Sequence, residues 1–171
     1  MSIVQSFLPE TSPNPRVLIL GSMPGIASLE AVQYYAHPRN AFWPIMASYF
    51  NFKNELTYSE KLLIVKHRQV ALWDVLASCE REGSLDSAIK NETMVPNLIE
   101  DWLKQQSTVT TILCNGGKSA QTFKKHFKTL FSSQDINVVK LPSTSPAHAA
   151  MSLAEKKQQW HKALNTVFQT V

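Results

Sequence analysis

Apolar residues in this chain gather in short runs rather than long stretches, and most runs are followed by a polar turn and then by a segment with helical spacing. Arg16–Leu20 is the first such run and predicts a strand. After it, Ser28 stands where a side chain can cap a helix running to about Tyr35. Thr57-Tyr58-Ser59-Glu60 is a capping box ahead of Lys61–Lys66, and Val70–Trp73 predicts the second strand. From there to Pro96 the pattern is loose. Asn97-Leu98-Ile99-Glu100 repeats the cap spacing and predicts another helix. Val109–Cys114 predicts a third strand, the stretch from about Lys118 to Lys128 a helix, and Ile136–Leu141 a fourth strand. Ser152-Leu153-Ala154-Glu155 then opens a last helix. Strands that alternate with helical sequence predict an α/β fold with a parallel sheet covered by helices on both faces.

In such a sheet, ligands bind beyond the carboxyl ends of the strands. Three segments fall there: Gly21-Ser22-Met23-Pro24-Gly25, Asn115-Gly116-Gly117-Lys118, and Pro142-Ser143-Thr144-Ser145-Pro146-Ala147-His148. One loop of this kind needs glycine, proline and serine for turn geometry alone. Three that converge point to a site, because each leads toward a helix N-terminus whose free N–H groups suit phosphate or a developing negative charge.

Composition narrows the possibilities. With 171 residues, 44% of them hydrophobic, the chain can bury one good core, and a single domain over 1–171 is expected. The formal net charge of +4 favours a polyanionic partner without requiring one. Two cysteines, Cys79 and Cys114, are too few and too far apart for a disulfide framework, a zinc ribbon or a four-cysteine cluster. The five histidines show no H-E-x-x-H or comparable spacing, so neither metal nor cofactor is expected. There is no G-x-G-x-x-G, and Ile112 stands where the upstream glycine of a P-loop would be. Ser22, His148 and Asp74 are the parts of a hydrolase triad, but no G-x-S-x-G elbow carries the serine. The N-terminus lacks a basic signal-peptide region, and no apolar run approaches the roughly 18 residues of a membrane span. A soluble cytoplasmic protein without a membrane partner is expected.

Gly21-Ser22-Met23-Pro24-Gly25, then Tyr34-Tyr35-x-His37-Pro38-Arg39-Asn40-x-Phe42-Trp43, then Pro142–His148 together resemble the uracil-DNA glycosylase superfamily. Leu72-Trp73-Asp74-Val75 and Gly117-Lys118-Ser119-Ala120 extend the resemblance over most of the chain. It is greatest to the hypoxanthine-DNA (deoxyinosine) glycosylase branch, with mismatch-specific uracil/thymine glycosylases next. The resemblance implies a three-layer α/β/α fold around a four-stranded parallel sheet. It also implies a monofunctional, cofactor-free monomer that hydrolyses the N-glycosidic bond of a damaged nucleotide in DNA during base-excision repair.

Such an enzyme must rotate the nucleotide out of the stack, so it needs a pocket, a wedge and phosphate clamps. The resemblance assigns catalysis to Asn40 and base binding to Gly21, Ser22, Met23, Phe42 and Asn115. Phe42 is the expected floor on which the base stacks, and Trp43 is expected in the core. Pro24, Gly25, Lys118, Ser143, Ser145, Pro146 and His148 are the expected DNA contacts, with Pro146–His148 as the wedge. Met23 departs from the better-known relatives, which carry an aspartate or asparagine there to hold the attacking water. Methionine can do neither, so Asn40 must position the water, as a neutral amide and a poor general base.

Each residue has a plainer reading. Without the resemblance Asn40 is the N-cap of a helix with Pro44 in its first turn. Phe42 and Trp43 are both core candidates, and Ser143 and Ser145 are ordinary turn formers. Lys118, Lys124, Lys125, Lys128, Lys156, Lys157 and Lys162 fit the solvated faces of amphipathic helices. Two alternatives stay open: a uracil or mismatch-specific glycosylase, and a module that binds damaged bases without cutting.

Overall fold

A computed structural model describes residues 2–169. The chain runs through β1 (Ile3–Gln5), β2 (Val17–Gly21), α1 (Ile26–Ala31), α2 (Phe42–Phe50), α3 (Tyr58–His67), β3 (Val70–Asp74) and β4 (Leu76–Glu80). Two single 3-10 turns, Asp86–Ala88 and Asn91–Thr93, lead to β5 (Val95–Pro96) and α4 (Ile99–Lys104). β6 (Thr111–Asn115), α5 (Gly117–His126), α6 (Lys128–Phe131), β7 (Asn137–Leu141) and α7 (Leu153–Phe168) complete it.

β3, β2, β6 and β7 form a four-stranded parallel sheet in that order. β2, β3 and β6 are buried at every position, as a parallel sheet covered on both faces requires. Alternation along the strands splits the core in two. Val17, Ile19, Val70, Leu72 and Leu113 pack with Phe42, Ile45 and Met46 of α2 and Trp160 and Leu164 of α7. Leu18, Leu20, Ala71, Ile112 and Cys114 pack with Ile99 and Leu103 of α4 and Phe123 of α5. The three-layer α/β/α architecture and the four parallel strands are therefore as the sequence implies.

Several local expectations are corrected. Ser28 does not cap α1: Gly25 does, in extended conformation, and Ser28 lies inside the helix with its hydroxyl accepting from Ala36 N–H at 3.1 Å. The helix stops at Ala31 because Val32 turns left-handed, at φ 53°. Thr57 caps α3 through Glu60 N–H as expected. Asn97 does not cap α4, since its side-chain amide instead donates to the Asp74 carbonyl at 2.8 Å. The helix after β6 ends at His126, and Lys128 begins a separate turn. At α7 the full capping box between Ser152 and Glu155 forms.

The loose region after β3 hides a second sheet. β1, β4 and β5 pair antiparallel in the order β1-β4-β5, with Val4 opposite Cys79 and Leu76 opposite Pro96. Strands of three, five and two residues are too short to display a period. This sheet continues β3 through Val75 and sets the segment from Arg81 to Ala88 beside the loop that follows β2. Among the described residues, no helix is long and apolar enough to cross a membrane.

Candidate active site

Parallel registration brings the strand ends to one edge, with Gly21 opposite Asp74 and Asn115 opposite Leu141. Side chains then fasten the loops together. Asn115 Nδ2 donates to Thr144 Oγ1 and Thr144 N–H donates back to Asn115 Oδ1, both at 2.9 Å. The Thr144 carbonyl accepts from Ala41 N–H at 2.9 Å, which draws in the segment carrying Asn40. Gly116 permits the close approach: its φ is +97°, and a Cβ there would stand 3.0 Å from Ser143 Cβ. Trp160 Nε1 donates to the Pro142 carbonyl at 3.0 Å and anchors the last loop to α7. A cavity of about 710 Å³ opens where the loops meet.

Gly21, Ser22, Met23, Pro24, Gly25, Asn40, Asn115, Ser143, Ser145, Pro146 and His148 all border this cavity. Two expected site residues do not. Phe42 is 0% exposed and lies behind Tyr35, with ring centroids 4.0 Å apart; Tyr35 is the ring on the cavity wall. The first turn of α2 sends Phe42 and Trp43 into the core, where Trp43 Nε1 donates to the Tyr34 carbonyl at 3.0 Å. Lys118 points elsewhere, its ammonium donating to Asn91 Oδ1 at 3.1 Å.

Asn40 is not the N-cap of α2, a position held by Ala41, but its side chain still engages the start of that helix. Its Oδ1 accepts from Phe42 N–H at 2.9 Å, at the start of α2. A backbone N–H can only donate, so this bond fixes the amide's orientation. One oxygen lone pair and both amide hydrogens stay available at the cavity wall. Met23 packs on Leu76, Cys79 and Ile89 and offers the cavity no water-holding group.

The serine hydroxyls also serve twice. Ser143 Oγ accepts from Ser145 N–H at 3.1 Å and Ser145 Oγ from Ala147 N–H at 3.2 Å. Each hydroxyl keeps its own hydrogen as a donor. Ser22 Oγ donates to Asp86 Oδ1 at 2.6 Å, so no Ser22–His148–Asp74 relay exists.

Sequence reasoning missed one wall and the charged interior. Ser84, Leu85, Asp86 and Ser87 border the cavity, and Tyr35 and Asp74 lie within it. Arg81, 1% exposed, ties this wall to the first loop through Nη2 to the Pro24 carbonyl at 2.6 Å and Nε to the Gly83 carbonyl at 2.8 Å. Asp74 is 4% exposed and its Oδ2 has no hydrogen-bond partner. Burial first, then the nearby Asp86 carboxyl, raise its pKa to about 7 against the opposing pull of Arg81. Burial also pushes the Asp86 carboxyl up, countered by the Ser22 hydroxyl, Arg81 and Lys118. The Tyr35 phenol, pushed up by burial and then by Asp74, stays neutral, and its hydroxyl lacks a partner as well. A Cβ on Gly21 would stand 2.4 Å from Asp74 Oδ1 and 3.5 Å from Tyr35 OH, so only glycine leaves room between the two. At the mouth, Arg39 is an exposed cation beside His37. Among the described residues, no group of three His, Cys, Asp or Glu side chains could hold a metal ion.

The known proteins to which this chain is similar are described as DNA glycosylases. The chain is 31% identical over 160 residues to a hypoxanthine DNA glycosylase of Methanosarcina barkeri, a match covering 93% of this chain and 96% of the relative. It is 31% identical over 150 residues to a hypoxanthine DNA glycosylase of Methanosarcina acetivorans, covering 86% and 89%. A solution NMR structure from M. acetivorans, described as a candidate uracil DNA glycosylase, superposes with a TM-score of 0.81 at 28% identity, covering 97% of this chain and 99% of that one. The family model described as Uracil DNA glycosylase superfamily matches residues 8–168, nearly the whole chain: the chain belongs to the uracil DNA glycosylase superfamily.

Proposed function

We propose that this protein is a monofunctional DNA glycosylase that removes hypoxanthine from deoxyinosine by hydrolysing the N-glycosidic bond. The observation that carries the reading is the pairing, in one cavity, of an aromatic wall at Tyr35 with the oriented amide of Asn40. The names of the two Methanosarcina relatives favour hypoxanthine as the base.

The chemistry follows from these parts. Extruding the nucleotide costs a few kcal/mol, least for a mispaired base, and stacking on Tyr35 offsets part of it. As the C1′–N bond breaks, the sugar takes on oxocarbenium character and negative charge gathers on the base. This follows the logic of glycoside hydrolysis, with nitrogen as the leaving atom. Asn40 holds the water for C1′ with its remaining lone pair and N–H groups. An amide cannot take the proton early, so the barrier falls through positioning and through stabilisation of the leaving base. Ser143 and Ser145 donate to backbone phosphates, Arg39 adds charge at the mouth, and Pro146–His148 fills the vacated stack. Asn115, with its amide committed to Thr144, mainly holds the loops in place. The enzyme acts as a monomer in the cytoplasm, a reducing compartment that suits two buried free thiols.

The test is turnover. Purified protein is incubated with duplexes bearing one inosine or one uracil, and abasic sites are then cut with alkali. Strand cleavage at inosine is expected. Cleavage at uracil alone transfers the assignment to a uracil enzyme, and binding without cleavage reduces it to a damage-recognition module.

A further inference from the structure

Two carboxyl groups border the cavity that the mechanism above does not use; Asp86 is engaged by the Ser22 hydroxyl, and Asp74 is not. It sits at the carboxyl end of β3, 4% exposed, with Oδ2 unpartnered, against Gly21 and near the equally unpartnered Tyr35 hydroxyl. A buried carboxylate that accepts no hydrogen bond is costly, whereas a carboxylic acid in the same place is one hydrogen-bond donor waiting for an acceptor. The phenol beside it is a second donor. Both residues border the cavity, with the Tyr35 hydroxyl and Asp74 Oδ2 lying just beneath its surface, so the protonated Asp74 carboxyl is the donor this end of the cavity offers to a base.

We propose that Asp74 meets the extruded base as the neutral carboxylic acid, donating a hydrogen bond to an acceptor on the purine edge and passing its proton to the base as the glycosidic bond breaks. This rests on the glycosylase reading above and extends it to the leaving group. The bonding pair of C1′–N9 departs with the purine, and the Asp74 proton joins it, so the base leaves neutral. The water that adds to C1′ releases one proton, and the carboxylate regains one from solvent.

The same geometry separates hypoxanthine from adenine. Hypoxanthine presents acceptors at O6 and N7, either of which the acid satisfies. Adenine presents an amino group at the corresponding position, leaving a donor against a donor. A site built around hydrogen bonds rejects such an analogue far more strongly than a merely apolar pocket can.

The charged and titratable groups facing Asp74 set the pH at which it works. Asp86, from the turn beyond β4, lies on one side of the balance, while Tyr34 and Tyr35, from the connection between α1 and α2, face Asp74 as neutral phenols. Arg81, at the end of β4, lies on the other. With burial dominant, the acid form persists to about pH 7.

Single-turnover excision from an inosine duplex, measured between roughly pH 5.5 and 9, tests this. For the wild type the rate is expected to fall by up to about tenfold per unit above the carboxyl's pKa. Asp74→Asn keeps a hydrogen-bond donor but has no proton to give and cannot titrate, so at pH 6 it should lose roughly 100-fold and show no alkaline decline. Asp74→Val, with circular dichroism confirming the fold, should lose at least roughly 100-fold. A wild-type rate that rises with pH, or an alkaline decline that persists in Asp74→Asn, overturns the proposal while leaving the glycosylase reading intact. A wild type that cuts neither inosine nor uracil duplexes at any pH overturns both.

Discussion

Phe42 and Tyr35 pack with ring centroids 4.0 Å apart and planes tilted by 33°, yet the structure gives them opposite jobs, and truncation separates these cleanly. Phe42 is fully buried, with Trp43 and Trp160 edge-on at 4.9 and 6.5 Å. Removing its ring opens a cavity in the larger half of the core and should cost about 3–5 kcal/mol. In a chain of this size that lowers the midpoint of thermal unfolding on the order of 10 °C. Tyr35 is only half-buried and its hydroxyl makes no hydrogen bond, so Tyr35→Leu keeps apolar cover over Phe42 at little cost. What it loses is a stacking face, worth about 1–3 kcal/mol per base, or roughly 5- to 150-fold in substrate capture. The measurements are thermal unfolding by circular dichroism and single-turnover excision over a range of enzyme concentrations, for Tyr35→Leu, Phe42→Leu and Phe42→Ala. Tyr35→Leu should unfold near the wild type and excise poorly at low enzyme concentration. Phe42→Leu should excise normally whenever it is folded. Impaired capture in Phe42→Leu together with normal capture in Tyr35→Leu would refute the assignment of the rings.

Three further outcomes are expected. Asn40→Ala should lose roughly 100-fold in single-turnover excision and about 1 kcal/mol of stability, whereas Asn40→Ser retains a side-chain oxygen for Phe42 N–H and should lose the activity alone; excision within a few-fold in the serine variant would leave Asn40 as a structural residue only. Asp74 holds its proton to about pH 7 when folded against an ordinary value of 3.8, so the folded chain binds more protons than the unfolded one between roughly pH 4 and 7 and stability falls as pH rises through that window. The full effect is on the order of a few kcal/mol, and Asp74→Asn should flatten it in urea titrations run at each pH. Arg39→Ala should flatten the log–log dependence of DNA affinity on salt by about one unit, and a wild-type affinity indifferent to salt would remove phosphate contact from the reading.

Where the pattern was long enough, it located the fold. The four parallel strands fell within one or two residues of the apolar runs; in β2, β3 and β6 burial on both faces leaves a continuous signature, whereas the edge strand β7 is only partly covered. The capping box at Ser152 was equally plain, since two side chains close on two backbone groups and nothing nearby competes. Asn97 and Ser28 show the limit of that signal. Both have the residue type of a cap, but tertiary demands took their side chains, for the Asp74 carbonyl in one case and Ala36 N–H in the other. The small antiparallel sheet was unreadable for a different reason: strands this short are defined by their partners rather than by their own composition.

The site divides along similar lines. Glycine and proline in the three loops marked where the cavity forms, while the choice between Tyr35 and Phe42 depended on backbone direction. Tyr35 turns at φ 57°, and α2 begins only at Phe42, so the aromatic nearest Asn40 in sequence points away from the cavity and the more distant one lines it. Asp74 carried a usable signal in strand parity. Val70 and Leu72 face the α2 side of the sheet, and two residues on, Asp74 must face it too. Gly21 follows Val17 and Ile19 to the same side, and Asn115 follows Leu113. Three strands therefore end with a glycine, an acid and an amide on one face, directly beyond the aromatic core of α2. The acid's raised pKa could not be read from the sequence, because it arises from burial and from an Asp86 carboxyl that only the unpredicted small sheet brings within reach.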